Sequence, residues 1–578
     1  MSTVLETNAF NGDNPTAQHL MEEKVFSRIA AQDESLFGFD PAAREHARSF
    51  FGWTHLATRP PIDLQVISDF AREMRAEGLS CVVLMGQGGS TQAAMTITKI
   101  HSLNRRDVAF KTLDSMSPVW THRILDAYDP ATTLYIVASK SGGTLEPNLT
   151  ANIAWEHVVA ALGSDEAAAK RFVAITDPGS PLEARAQREG WRRIFPGCTN
   201  VGGRFSALTV FGLLPAALVG IDIHQMLLDA SIYEVACSQD MPSNPALRLA
   251  SFLYENQQAG RWIFSLISPQ PGRVFGLWVE QLVAESLGKK HRGILPNIEI
   301  DASMMALPRP DRCAITYAIR PDASFESDIS RIDPSIPTIH CAIPDTVSTA
   351  AHFIMWEYAI TAVAYLMQVD PFDQPNVQLT KDKVRDLLYS PDAVIGSTPG
   401  CLLLPAGRYV LETEVSPALC DPKYGPQPQT IDDALQRLFQ SLRPGEFFSV
   451  NAFLPFIEEP RRVPMEEIRH CAAVHLGAAS CLEIGPRYLH STGQLHKGGP
   501  DKGVFLIISS EEPDDMPIPG ESFSLGTFEH AQACGDMAAL SEKGRRAVRL
   551  HLAGNDGETL SKVAAGICHA ICLAAMSR

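Results

Sequence analysis

Residues 81–90, CVVLMGQGGS, join a run of apolar, β-type residues to a glycine-rich turn, and a helical pattern follows from Thr91. The same order of signals recurs at 134–138, which breaks into SKSGGT at 139–144 before another helix. Residues 172–176 form a third apolar run. Short apolar runs separated by helices indicate βαβ units. The sequence therefore predicts an α/β fold with a mostly parallel sheet.

The pattern restarts after Asn244 and predicts a second domain of the same kind. Strand candidates lie at 262–267, 314–319 and 338–343, and helix candidates at 276–287 and 349–367. From about residue 396 proline and glycine become frequent, with helix candidates at 431–441 and 465–479 and a strand candidate at 503–509. We therefore expect an N-terminal helical segment at 1–60, α/β domains at 61–243 and 244–395, and a C-terminal α/β or α+β domain at 396–578.

The bulk composition is that of a soluble globular protein. The chain has 578 residues, of which 45% are hydrophobic and 20% charged, so several domains are expected. A formal net charge of −17 argues against nucleic acid as a partner, because phosphate backbones are bound by surplus Lys and Arg. Residues 1–10 lack a signal-peptide pattern, and apolar runs such as 211–221 are too short to span a bilayer. We expect a cytoplasmic protein without a membrane partner.

The twelve cysteines are scattered, without a spacing typical of a zinc site. Cys568 and Cys572 lie one turn apart in a helical pattern near the C-terminus. We interpret them as small buried hydrophobic residues, and a disulfide framework is not expected in a long chain of this kind. The sequence thus predicts no metal.

The two glycine-rich turns are candidates for binding phosphate. A strand that ends in such a turn, with a helix behind it, points backbone N–H groups at one spot, where the helix dipole favours an anion. Ser139, Ser141 and Thr144 add hydroxyl donors and Lys140 adds a charge. An ordinary tight turn with Ser and Thr caps explains either loop alone equally well.

A dinucleotide site is the weaker interpretation of residues 86–90. The fingerprint requires Gly or Ala three residues after its second glycine, and Thr91 occupies that position. The chain also lacks a Walker A sequence. A nicotinamide cofactor is therefore not expected.

Several segments, in order along the chain, resemble glucose-6-phosphate isomerases. The loops at 88–90 and 139–147 (SKSGGTLEP) are similar to the sugar-phosphate loops of that family, and 201–206 (VGGRFS) to its arginine signature. Residues 281–289 (QLVAESLGK) resemble the catalytic-glutamate segment, and 371–375 (PFDQP), with Lys381 beyond it, the closing segment. Residues 485–500 (GPRYLHSTGQLHKGGP) resemble the isomerase half of bifunctional transaldolase/glucose-6-phosphate isomerase proteins. No transaldolase-like half is found.

The resemblance implies two sugar-isomerase (SIS-type) domains, each a doubly wound parallel sheet, and interconversion of glucose 6-phosphate and fructose 6-phosphate. It implies that proton transfer between C1 and C2 passes through a cis-enediolate and needs no cofactor. The roles that it implies are a base (Glu285), a stabiliser of the enediolate (Arg204), a residue that orients the substrate (Gln281), phosphate binding (Gly89, Ser90, Ser139, Lys140 mainly through its backbone, Ser141 and Thr144), and residues that reach over the substrate (Gln374 and Lys381).

The acid that opens the sugar ring is the open assignment. The family has a histidine a few tens of residues beyond the glutamate, often supplied by a partner subunit, but residues 311–320 contain none. Histidine suits proton transfer near neutral pH, so His490 is the first candidate and His496 the second. Lys381 or spontaneous opening is the alternative. The sequence also departs from the family at Gln87, Gln92 and Ala93, and these residues could alter the sugar pocket.

Two alternative functions and the oligomeric state stay open at the level of sequence. A non-catalytic sugar-phosphate sensor would keep the hydroxyl-rich loops without needing Glu285, Gln281 and Arg204. An isomerase of broader range would also accept mannose 6-phosphate, since discrimination between C2 epimers depends on pocket shape. The chain could also form a homodimer.

Overall fold

The computed structural model describes residues 5–7, 14–101, 107–269, 272–299, 302–346, 349–390, 394–456 and 459–577. The chain divides into two compact units. The first comprises residues 1–114 and 124–373, and the second residues 115–123 and 374–578. The domain boundaries drawn from sequence stay a prediction.

The first unit contains two sheets. Its strands are β1 (Leu5–Thr7), β2 (Cys81–Met85), β3 (Ala109–Leu113), β4 (Thr133–Ala138), β5 (Phe172–Thr176), β6 (Arg193–Pro196), β7 (Ile263–Ile267), β8 (Leu295–Glu299), β9 (Arg312–Ile319) and β10 (Thr338–Ile343). One sheet has the order β3-β2-β4-β5-β6, and all its neighbouring strands are parallel. The other has the order β1-β10-β9-β7-β8, parallel except for β1.

Helices connect these strands along the chain, and residues 118–123 of the helix between β3 and β4 are assigned to the second unit. The helices are α1 (Pro15–Glu22), α2 (Val25–Ala30), α3 (Pro41–Phe50), α4 (Leu64–Ala76), α5 (Gln92–His101), α6 (Pro118–Leu125), α7 (Leu145–Leu162), α8 (Asp165–Ala169), α9 (Pro181–Arg188), α10 (Val210–Leu218), α11 (Ile223–Cys237), α12 (Pro245–Gln258), α13 (Arg273–Leu287), α14 (Ala323–Ile329) and α15 (Thr349–Met367). Local chemistry sets several boundaries. Asn244 caps α12 by accepting from two backbone N–H groups, with Pro245 at its first position, and Gly163 ends α7 with a φ of 83°.

The central strands of both sheets are apolar on both faces. Every residue of β2, β4, β5 and β7 is buried, as expected for parallel strands that are covered by helices on each side. Because these strands are buried on both faces, they appear in the sequence as short apolar runs between helices. The predicted α/β class is confirmed.

The second unit has one mixed sheet. Its strands are β11 (Leu402–Leu404), β12 (Val410–Val415), β13 (Phe447–Phe453), β14 (Ala479–Ile484), β15 (Gly503–Ser510) and β16 (Arg546–Leu552), and its helices are α16 (Pro375–Tyr389), α17 (Ile431–Gln440), α18 (Glu459–His475), α19 (Gly493–Gly498), α20 (Leu525–Glu542) and α21 (Gly557–Met576). The order is β11-β12-β16-β15-β13-β14, with β16 to β14 parallel and β11 and β12 antiparallel to their neighbours. Of the two fold classes expected for this region, α/β is the one observed.

One predicted helix differs from the observed element. The sequence places a helix at 465–479, whereas α18 begins at Glu459, contains Pro464 and ends at His475. Ala479 instead begins β14. Proline in a helix interior normally breaks the helix, whereas α18 continues through Pro464. Residues 476–478 form the connection between α18 and β14.

Among the described residues, two helices are long and apolar enough to cross a membrane by length and composition, namely α15 and α21. The apolar window of α15 is 89% buried, and it forms part of the core of the first unit. The window of α21 is 39% buried. A core helix passes the same test of length and composition, so the test alone assigns neither helix to a membrane.

Candidate active site

Glu285 lies on α13, one turn after Gln281, and both side chains are buried. Residues four apart share a helix face, and here Gln281 Nε2 donates to Glu285 Oε2 at 3.3 Å. Arg204 Nε donates to the same oxygen at 2.9 Å. The other carboxylate oxygen, Glu285 Oε1, accepts no hydrogen bond from the described residues. The structure thus brings together three residues that the sequence had nominated.

The guanidinium of Arg204 is fixed from three directions. The residue lies in a short 3₁₀ turn, Gly203–Phe205, and only 5% of its side chain is exposed. Besides its bond to Glu285, it donates through Nη1 to the carbonyl of Pro371 and through Nη2 to that of Asp373, the latter at 3.3 Å. A planar guanidinium with donors in fixed directions can hold such an orientation, whereas an ammonium cannot.

Phe372 anchors the segment that holds Arg204. Its ring lies 5.3 Å from that of Phe51 and 5.5 Å from that of Phe205, centroid to centroid. Phe205 in turn stacks on Trp53 at 5.2 Å. Phe205 follows Arg204 in sequence, and Phe372 lies between the two residues whose carbonyls accept from Arg204. The aromatic packing therefore positions both the guanidinium and its backbone acceptors.

Lys289 is a site residue that the sequence interpretation left without a role. It lies four residues after Glu285, and its ammonium contacts Asp373 Oδ1 at 2.7 Å and donates to the carbonyl of Asp370. Burial, with the nearby charge of Arg204, lowers the pKa of Lys289 to about 8, although Asp373 and Asp370 oppose the shift. The spacing of four from Glu285 was the signal in the sequence that could have indicated that Lys289 lies near the site.

The phosphate-loop candidate after β2 packs directly on the turn that carries Arg204. A Cβ added to Gly89 would lie 2.1 Å from the carbonyl oxygen of Gly203, which no real Cβ tolerates. A Cβ on Gly203 itself would meet nothing within 4 Å. The close backbone approach of the two loops therefore depends on the missing side chain of Gly89.

The loop after β4 arranges its hydroxyl groups at the start of α7. Ser139 Oγ donates to Thr144 Oγ1 at 3.2 Å, and Ser141 Oγ accepts from the backbone N–H of Gly143 at 3.3 Å. Gly142 has a φ of 68°, and a Cβ there would lie 2.8 Å from the backbone nitrogen of Leu182. This close turn before a helix N-terminus has the donors that an anion needs.

Lys140 directs its side chain away from this loop. Its Nζ lies 2.6 Å from Asp177 Oδ2 and donates to the carbonyl of Cys198 at 2.7 Å. The ammonium therefore holds neighbouring backbone, and any contribution of Lys140 to an anion comes through its main chain. Ser90, the remaining loop candidate, is half-buried at the end of the 3₁₀ turn Gly88–Ser90.

Two of the residues that depart from the family pattern are buried next to β2. Gln87 Nε2 donates to the carbonyl of Asp114 at 3.1 Å, and Gln92 is 2% exposed. Gln87 thereby joins the carboxyl end of β2 to that of β3. Ala93 is buried in the apolar core of the first unit.

The remaining nominated residues belong to the second unit. Gln374 precedes the first residue of α16, Lys381 lies half-buried on α16, and His490 ends a short 3₁₀ turn and is 8% exposed. Within this unit α16 packs against the turn of His490 and against α19, and the backbone N–H of Asn376 donates to Gln494 Oε1 at 2.9 Å. The structure thus joins the segments that bear these three residues.

His496 is buried in an aromatic environment. Its ring lies 4.9 Å from that of Phe505, and neither ring nitrogen has a hydrogen-bond partner among the described residues. Burial lowers its pKa well below the ordinary value, so the neutral imidazole is favoured. This environment suits a core histidine.

A buried carboxylate that is held by an amide and a guanidinium can accept a proton next to a group that stabilises an oxyanion. The protein is thus an α/β protein in which Glu285, Arg204 and Gln281 form a candidate proton-transfer site. Residues 66–290 match the family model described as phosphoglucose isomerase. This match covers about two fifths of the chain and agrees with the resemblance found in the sequence.

Curated relatives are named glucose-6-phosphate isomerase. The glucose-6-phosphate isomerase of Prochlorococcus marinus (strain MIT 9515) is 34% identical over 231 residues, which are 39% of this chain and 43% of the relative. The probable glucose-6-phosphate isomerase of Haloarcula marismortui is 28% identical over 376 residues, covering 58% of this chain and 84% of that protein. The chain thus spans less than half the length of the Prochlorococcus relative that it matches.

Two solved structures share the fold. A hypothetical protein from Thermus thermophilus matches with a TM-score of 0.55 at 23% identity, covering 66% of this chain and 99% of that one. A glucose-6-phosphate isomerase from Chlamydia trachomatis matches with a TM-score of 0.51 at 17% identity, covering 63% of this chain and 84% of that one.

Proposed function

We propose that the protein is a cytoplasmic aldose–ketose isomerase that interconverts glucose 6-phosphate and fructose 6-phosphate in glycolysis and gluconeogenesis. The observation that supports this most is the buried Glu285 carboxylate, whose Oε2 accepts from both Arg204 and Gln281. The match of residues 66–290 to the phosphoglucose isomerase model and the names of the relatives support the choice of substrate.

Glu285 is the base in this proposal. Its Oε2 is occupied by two donors, so we assign the proton transfer between C1 and C2 to Oε1. A carboxylate that keeps one fixed oxygen presents the other in one direction, which favours a near-attack geometry. Proton transfer by a positioned side chain typically contributes about 10² to 10⁴-fold in rate.

Arg204 stabilises the enediolate. Its charge is permanent, and its orientation is set before substrate arrives by the carbonyls of Pro371 and Asp373. Donors that need no reorganisation as negative charge develops lower the barrier more than mobile ones. Gln281, which shares the helix face of Glu285, orients the substrate.

The two glycine-rich loops hold the phosphate group. Ser90 and the backbone of Gly89 come from one loop, and Ser139, Ser141, Thr144 and the backbone of Lys140 from the other. Gln374 and Lys381 reach over the sugar, and His490 opens the ring. The environment of His496 disfavours it for that step, since its imidazole is buried among aromatic rings.

The test is a coupled assay on the full chain that follows glucose 6-phosphate formed from fructose 6-phosphate without added metal. We expect turnover by the parent and a loss of about 10²-fold or more in kcat for Glu285→Gln. The matched control is Glu280→Gln, on the same helix, which should keep the parent rate.

A binding measurement distinguishes the isomerase from a non-catalytic sugar-phosphate sensor. Glu285→Gln should still bind fructose 6-phosphate in calorimetry, because the phosphate loops are untouched. Unchanged turnover in Glu285→Gln would refute the mechanism. A parent that binds the sugar phosphate without turning it over would instead support the sensor function.

A further inference from the structure

A cluster of sulfur and nitrogen ligands lies between α18 and α21 in the second unit. Cys471 and His475 are one turn apart on α18, and Cys572 lies on α21. One ligand atom from each, a thiol sulfur or a ring nitrogen, lies within 4.8 Å of the other two. Cys471 and Cys572 are half-buried and His475 is exposed, so the cluster opens to solvent at one side.

A third cysteine, Cys568, borders the same cluster. Cys568 precedes Cys572 by one turn, and its thiol donates to the carbonyl of Glu467 on α18 at 3.9 Å. The Cys471 thiol donates to the carbonyl of Cys568 at 3.8 Å. The thiols of Cys568 and Cys572 both interact with the thiol of Cys471. Each helix thus offers two ligand-type residues four apart, which places each pair on one face.

We propose that Cys471, His475 and Cys572 bind a zinc ion, with Cys568 placed to supply the fourth ligand. Thiolate and imidazole together favour zinc over the oxygen-seeking Mg²⁺ and Ca²⁺. Ligands about 2.3 Å from a tetrahedral ion lie about 3.7 Å from one another, so side-chain rotation that brings the atoms about 1 Å closer completes the site.

The ligand set points to a structural role for the ion. Three thiolates and one imidazole form a closed site, without an open position for a substrate or a catalytic water. The ion would fasten α21, the last helix described, to α18, from which it is about 100 residues away in sequence. Most of the ordering is already supplied by the apolar packing of the two helices, because Ile468, Ala472, Ile567 and Ile571 lie in one core.

The sequence interpretation excluded this site for a physical reason. Zinc sites are recognised in sequence from ligands that follow one another closely, whereas here the two pairs come from distant helices. Cys568 and Cys572 taken alone resemble small buried hydrophobic residues. Only the packing of α18 on α21 adds Cys471 and His475 to them.

The first test is the metal content of the full chain purified without chelator, measured by plasma mass spectrometry. We expect about one zinc per chain, and Co²⁺ substituted for it should show thiolate charge-transfer bands and the d–d absorption of a tetrahedral site. Cys572→Ser and His475→Gln should each weaken Co²⁺ binding by tenfold or more. The matched controls Cys420→Ser and His470→Gln, which lie outside the cluster, should leave it unchanged.

A second measurement covers variants that fail to fold. Removing the ion from the parent with a chelator should lower its melting temperature, and added zinc should restore it. The proposal is overturned if the parent, loaded with zinc and dialysed, retains less than about a tenth of an equivalent. It is equally overturned if mass spectrometry shows Cys471 joined to Cys568 or Cys572 in a disulfide.

Discussion

Arg204 Nε and Glu285 Oε2 lie 2.9 Å apart in the folded protein, although 81 residues separate them in sequence. The pair is nearly excluded from water, with side chains 5% and 8% exposed. Such a pair is costly to break from one side, because the remaining charge stays buried without its partner. The geometry of this contact, more than the presence of either residue, is what the proposed reaction depends on.

Replacing Arg204 with lysine should lower kcat by about 10²-fold or more, a magnitude typical of losing an oxyanion donor. Lysine keeps the charge but cannot direct donors at Glu285, Pro371 and Asp373 together. Steady-state kinetics measure the effect. Arg192→Lys, whose ion pairs with Glu73 and Glu77 lie at the surface, is the control and should keep the parent kcat. A parent-like kcat in Arg204→Lys would contradict the assigned role.

Replacing Gly89 with alanine should raise KM and lower the melting temperature, since the new Cβ would lie 2.1 Å from the carbonyl oxygen of Gly203 and must push the two loops apart. Gly203→Ala is the matched control, because its Cβ would enter open space and the fold should tolerate it. Thermal unfolding and fructose 6-phosphate kinetics provide both readouts. Equal melting temperatures for the two variants would show that the loops do not pack as described.

Lys289 predicts a pH-dependent contribution to stability. Its folded-state pKa is lowered to about 8 from 10.5, so above pH 8 the unfolded chain binds the proton that the folded chain has released. Stability from this group therefore rises with pH between about 8 and 10.5. Urea unfolding should show that the parent gains free energy of unfolding relative to Lys289→Met across that window.

The control for this prediction is Lys290→Met. The Lys290 side chain is 60% exposed and pairs with Asp40, so its removal should shift the free energy of unfolding by a similar amount at each pH. A difference between the parent and Lys289→Met that stays flat from pH 7 to 10 would show that the ammonium of Lys289 is not destabilised by its surroundings.

Glu357, in the middle of α15, should lower the free energy of unfolding. It is 1% exposed, and neither carboxyl oxygen has a hydrogen-bond partner among the described residues. Burial raises its pKa well above the ordinary value, so the folded state holds a proton that the unfolded state releases above about pH 4.5. Glu357→Met should stabilise the protein by about 1 to 3 kcal/mol at pH 7, and the gain should shrink towards pH 4.5.

Glu234 gives the opposite expectation and serves as the control. It is also buried, but it accepts from the backbone N–H groups of Ala57 at 2.9 Å and Thr58 at 3.3 Å. Glu234→Met should therefore destabilise the protein by about 1 to 3 kcal/mol, because buried donors lose their acceptor. Chemical unfolding at pH 7 distinguishes the two variants. Destabilisation by both would mean that Glu357 has a partner in solution.

The sequence by itself determined the elements whose signals are local. The bounds of β2, β5, β10 and α15 agree with the predicted runs residue for residue, because a parallel strand or a core helix is apolar throughout. The resemblance of residues 281–289 to a family segment nominated Gln281 and Glu285, and their spacing of four predicted that they share a helix face. The roles of the nominated phosphate-loop residues, of Gln374 and Lys381, and of His490 stay predictions.

Only the tertiary structure decided which residues meet. Arg204 meets Glu285, Lys289 meets Asp373, Gly89 meets Gly203, and Cys471 and His475 meet Cys572, each across a long stretch of chain. Local periodicity records which side of an element is buried but not which other element covers it. That choice is made by packing of the whole unit, which also sets the burial that perturbs Lys289 and Glu357.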